Sequence, residues 1–77
     1  MLDLVTYIVE QLVDDKSAIN ITADETADGV ETITIRVAEN DIGKVIGKQG
    51  KIATAIRTLA KAVGVKVGKR YNIEIED

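Results

Sequence analysis

Ile42-Gly43-Lys44-Val45-Ile46-Gly47-Lys48-Gln49-Gly50-Lys51-Ile52 is the stretch on which the fold of this 77-residue chain turns. Gly47 and Gly50 are preceded by apolar Val45-Ile46, followed by Ile52 and Ile56, and interleaved with Lys44, Lys48 and Lys51. Apolar residues on both flanks belong to elements that bury a face, so the glycines mark a corner between two helices. Glycine there leaves the main chain uncovered. The helix that starts beyond the corner points unpaired N–H groups outward. Backbone donors and adjacent lysines together can hold a sugar-phosphate chain without reading its bases. A tight corner alone would explain the glycines but not the lysines around them. A phosphate-binding P-loop needs G-x-x-x-x-G-K-[ST], whereas Gly43 and Gly47 enclose three residues and Gln49 stands where a hydroxyl would hold magnesium. A dinucleotide fingerprint needs G-x-G-x-x-G straight after a strand, and neither feature is present.

Working outward, a helix is expected from about Lys48, with Ile52, Ala55, Ile56, Leu59 and Val63 on one face. Gly64 is read as its C-cap, and Val65 to Gly68 as a short loop. Tyr71, Ile73 and Ile75 alternate with Arg70, Asn72 and Glu74, which predicts a strand over 69–76. On the other side, Glu39-Asn40-Asp41 offers capping side chains for a short helix ending near Val45 or Ile46. Before that, Ile33, Ile35 and Val37 form one alternating run and Ile19, Ile21 and Ala23 another. Asp28-Gly29 between them predicts an antiparallel hairpin. Leu2, Val5, Val9 and Leu12, widened by Ile8 and Val13, predict an amphipathic helix over 2–15. The order is α-β-β-α-α-β. Two helices between the second and third strands make those strands parallel neighbours through a right-handed crossover. The expectation is an α+β fold, a three-stranded mixed sheet with helices packed on one face.

Charge is divided sharply along the chain. From Ile42 to Ile73 there are eight basic residues and no acid, while the remainder carries all 13 acids against Lys16 and Arg36; +8 and −11 give the net −3. A concentrated basic surface can hold phosphates whatever the total charge. No cysteine or histidine is present, which removes thiolate nucleophiles, the usual zinc sites and the commonest general base. No apolar run approaches the roughly 20 residues of a membrane span, and a cytoplasmic protein is expected. A chain this short leaves room for one domain, 1–77.

Val45-Ile46-Gly47-Lys48-Gln49-Gly50-Lys51-Ile52 resembles the G-x-x-G signature of the KH family. The element order looks like its type II, prokaryotic form, and over essentially the whole chain the sequence is similar to small stand-alone bacterial KH proteins of the KhpA type. The resemblance implies a groove for about four nucleotides of single-stranded RNA. Gly47, Lys48, Gln49 and Gly50 would clamp the backbone, with Lys44 and Lys51 beside them. Ile46 and Ile52 would wall the groove next to the loop, and Lys66, Lys69 and Arg70 would form the opposite rim. Ile56 is assigned to the core, and Arg57 and Lys61 are read as solvated helix charges. The resemblance further implies a post-transcriptional regulator or RNA chaperone that dimerises with itself or with another KH-containing RNA-binding protein, and no cofactor, metal or catalysis. A protein-interaction adaptor that keeps the fold without depending on RNA is the alternative from another class.

Overall fold

Val5 and Val9, four positions apart on one helical face, are buried, and the helix that carries them, α1, spans Leu2–Leu12. It ends before the expected residue 15 because Val13 turns to extended geometry (φ −95°, ψ 155°). The Asp15 carboxylate then accepts hydrogen bonds from the Ser17 amide at 3.1 Å and the Ser17 hydroxyl at 2.6 Å, opening a 3-10 turn over Lys16–Ala18. Competition of this kind between a short polar side chain and the helix backbone is a common reason for a helix to stop. The computed structural model describes residues 1–76.

Strands β1 (Asn20–Glu25) and β2 (Val30–Arg36) form the antiparallel hairpin, with Ile21 opposite Ile35 and Ala23 opposite Ile33. Its turn is closed by the Gly29 amide on the Thr26 carbonyl at 3.0 Å and the Thr26 amide on the Val30 carbonyl at 2.8 Å. Gly29 sits at φ +83°, a position that favours glycine. Strand β3 (Arg70–Ile75) lies parallel to β2, Ile73 beside Ile33, and the sheet order is β1-β2-β3. The helices cover the face bearing Ile33, Ile35 and Ile73, whereas Thr22, Thr34, Asn72 and Glu74 carpet the other. The core is wholly aliphatic: Val5, Val9, Val13, Ile33, Ile35, Val45, Ile56, Ala60 and Ile73.

The long helix α3 spans Lys51–Val67. Its buried positions are Ala53, Ile56, Ala60 and Gly64, a stripe of mostly small residues that lets the helix lie close on the sheet. The buried face is therefore rotated from the expected one, and Leu59 remains 39% exposed. Gly64 does not cap the helix. A Cβ there would stand 2.4 Å from the Lys69 carbonyl oxygen, so Gly64 is the point where helix and following strand pass closest. The helix continues through 65–67 and stops at Gly68 (φ +72°), where the amides of Gly68 and Lys69 return to the Gly64 carbonyl, the latter at 2.8 Å. No helix among the described residues is long and apolar enough to cross a membrane.

Gly64→Ala should therefore lower stability by about 1–3 kcal/mol through overpacking, read as the urea midpoint. Gly43→Ala, in a helical turn with nothing within 4 Å of the added carbon, should be neutral or slightly stabilising. Equal midpoints for the two variants would refute the close-approach account.

Candidate nucleic-acid interface

A 3-10 turn, Glu39–Asp41, leads into the short helix α2 (Ile42–Ile46). None of the three polar residues caps it through a side chain, contrary to expectation. Asp41 turns inward instead and is 2% exposed. Its carboxylate accepts the Asp15 amide at 3.0 Å and the Lys44 ammonium at 3.2 Å, while Lys44 also pairs with Asp14. The connection after α1 is thereby fastened to α2. The Asp15 N–H is the foremost cause holding the Asp41 carboxyl below its ordinary pKa, with the Asp14 N–H and Lys44 adding to it against the opposing effect of burial. Asp14 and Asp41 in turn raise the pKa of Lys44.

The Gly47–Gly50 loop joins α2 to α3. Gly47 adopts φ +78°, ψ 170°, a region essentially confined to glycine. A Cβ at Gly47 would also meet Ile52 Cγ1 at 2.6 Å and the Ile52 amide nitrogen at 2.9 Å. Gly50 is left-handed at φ +73°, ψ 13°, and its amide donates to the Gly47 carbonyl at 3.1 Å. Gln49, at φ +58°, is the only non-glycine residue with positive φ among those described. This tight turn delays α3 to Lys51, three residues later than expected, and presents Lys48 and Gln49 to solvent. The first turn of α3 has no side-chain cap and no acidic residue. Its amide donors and the side chains of Lys48 and Lys51 share one end of the helix.

Further along α3 a groove of about 600 Å³ lies against the outer edge of β3. The groove is lined by Arg57, Lys61, Gly64, Val65, Gly68, Lys69, Arg70, Tyr71, Asn72 and Ile73. Lys69 and Arg70 were expected at this rim. Arg57 and Lys61, exposed helix charges as the sequence suggests, also stand on the groove wall, and the Arg57 Nε donates to the Ile73 carbonyl at 3.3 Å. Their spacing with Gly64 (57, 61, 64) places them on one helical face, a signal the sequence does contain. Lys66 is exposed but does not line the groove. Ile46 is half-buried beside the loop. Ile52 and Lys51 line a smaller crevice of about 260 Å³ between α1 and α3, with Ile8, Leu12 and Leu59, and neither lines the α3–β3 groove. Ile56 is 4% exposed and belongs to the core. Among the described residues no cluster of three acids could hold a metal ion.

The Asp41 latch makes stability depend on acid. A carboxyl whose pKa is depressed by folding contributes stability above the ordinary value of about 3.9 and loses it as the pH falls through the folded value. Asp28, held down chiefly by the Thr26 hydroxyl, and Glu76, held down chiefly by Arg36, act in the same direction. Urea midpoints measured between about pH 5 and pH 2 should fall steeply. Asp41→Asn should lower the midpoint at neutral pH and flatten the acid limb. A variant curve running parallel to the native one would show that Asp41 carries none of this dependence.

The family model described as KhpA/KhpB, KH domain matches residues 2–75. The RNA-binding protein KhpA of Listeria monocytogenes is 48% identical over 75 residues, covering 97% of each chain. KhpA of Aquifex aeolicus is 45% identical over 75 residues, 95% of this chain and 91% of that one; for Bacillus subtilis KhpA the identity is 43%, with 97% and 91% covered. Among solved structures, a variant of Aquifex aeolicus Era bound to GDP and AlF4− superposes with a TM-score of 0.64 at 19% identity. This chain spans 96% of its own length in that match and 28% of Era's, a likeness of fold alone.

Proposed function

The chain belongs to the KH domain family of KhpA and KhpB, and from that membership we propose that it binds single-stranded RNA, gripping the backbone with the loop Gly47-Lys48-Gln49-Gly50. The observation that carries the proposal is the loop itself. Gly47 is bare of any side chain where the chain packs on Ile52, and the uncapped start of α3 lies beside Lys48 and Lys51. Phosphates would accept from the amides of that helical turn and from these two lysines. Bases would then lie along α3 toward Arg57, Lys61 and the β3 edge, where backbone and side-chain donors offer contacts.

The whole of 1–77 acts in this proposal as one KH domain without enzymatic activity, serving in the cytoplasm as a post-transcriptional regulator or RNA chaperone. A footprint of about four nucleotides binds weakly. Pairing two modules can raise avidity by about 100-fold or more, which supports a homodimer or a heterodimer with another KH-containing RNA-binding protein.

Lys48→Asp combined with Gln49→Asp tests the site. Aspartate tolerates the left-handed backbone at position 49, so the melting temperature should hold while RNA affinity falls at least tenfold. The native protein should show a log–log salt slope of roughly −2 to −3, about −0.7 for each phosphate engaged. Unchanged RNA binding by the folded double variant would reject the loop as the grip and favour an adaptor that does not depend on RNA.

A further inference from the structure

The cations along α3 and β3 are not equivalent. Among the described residues, Lys48, Lys51, Arg57 and Lys61 form no ion pair. At the far end, about 25 Å along a 17-residue helix, Lys66 and Arg70 likewise form no ion pair among the described residues, and Lys69 alone is paired. The Lys69 ammonium sits 2.8 Å from Glu31 and 3.9 Å from Glu25. Glu25 and Glu31 are directly opposite each other on β1 and β2, a like-charge pair that is unfavourable without a cation between them. Arg70 is the register partner of Val30, next to the hairpin turn that carries Asp28. Its charge adds a small contribution to keeping Asp28 ionised, behind the Thr26 hydroxyl and the neighbouring backbone.

We propose that the acidic tip of the β1–β2 hairpin is an electrostatic stop that closes the far end of the α3–β3 groove to a nucleic-acid strand. Glu31 and Glu25 occupy Lys69 as a phosphate otherwise would, so the strand is held from the glycine loop to the neighbourhood of Lys61 and no further. A phosphate that advanced to Lys69 would have to displace Glu31 and then lie close to Glu25. The stop sets the length of strand recognised, a property the loop cannot set. It rests on the RNA-binding proposal above.

Glu25→Gln with Glu31→Gln removes both charges while preserving shape, and oligouridines of 4, 6, 8 and 12 nucleotides report on it by fluorescence anisotropy. The shortest should bind the native protein and the variant alike. The longer strands should bind the variant about fivefold tighter at 0.1 M salt, with a slope steeper by about 0.7, the signature of one additional phosphate contact. Equal affinities at every length would overturn the proposal, because Lys69 would then serve only to relieve the glutamate pair. An equal gain at every length, including the shortest, would also overturn it, since that reports a general field. If the double variant melts early, Glu25→Gln alone carries the same length test at smaller size, its side chain being 60% exposed. The loop variant at Lys48 and Gln49 is run on the same series. Its failure to weaken binding would remove the RNA proposal itself, independently of the hairpin result.

Discussion

The contact of the Gly47 main chain with Ile52 is the constraint on which the rest of the structure depends. A five-residue helix must turn into a 17-residue one, and it does so with no room for a side chain at Gly47. The turn is completed by Gln49 in a left-handed conformation that costs an L-residue about 1–2 kcal/mol. Strain of this kind persists only where surrounding structure enforces it. Enforcement comes from both sides. Val45 anchors α2 in the core, Asp41 latches it to the connection after α1, and Ile52 and Ile56 begin the packing of α3.

Once the corner is set, the path of α3 follows. A core without aromatic rings needs its layers close together, and Ala53, Ala60 and Gly64 allow that approach. The consequence is a helix laid against the sheet at its C-terminal end, with Tyr71 and the Lys69 carbonyl under Gly64. The same line of contact leaves Arg57 and Lys61 standing beside the edge of β3. The groove is thus a by-product of close packing, and its charge comes from the acid-free half of the chain. Some of the acids stand at the hairpin tip and on the turn after α1, where Glu25 and Glu31 meet Lys69 and Asp14 meets Lys44.

Much of this is legible in the sequence. Alternation located the strands, the two-helix connection made β2 and β3 parallel, Asp28-Gly29 marked the hairpin turn, and the glycine loop stood out by its neighbours. The misreadings share one physical cause, dependence on partners remote in sequence. Gly64 looks like a cap because glycine caps helices, but the clash that requires it comes from the strand beyond. Asp41 looks like a capping residue, yet its amide donor is 26 positions earlier. The carboxylates that pair with Lys44 and Lys69, 30 and 38 positions away, are likewise invisible in the local sequence. Arg57 and Lys61 are solvated helix charges as the sequence suggests, and that they also line a groove is hidden from the sequence because the strand forming the other wall follows them.

The surface on which a strand of RNA touches the protein distinguishes the loop from every other candidate site. An amide chemical-shift titration of the isotopically labelled chain with a short oligouridine measures this directly. The largest changes should fall on Gly47 to Ala53, with smaller ones along Arg57, Lys61 and the outer edge of β3. Changes confined to Ile8, Leu12 and Leu59 in the crevice between α1 and α3, or to the open face carrying Thr22, Thr34 and Asn72, would contradict it.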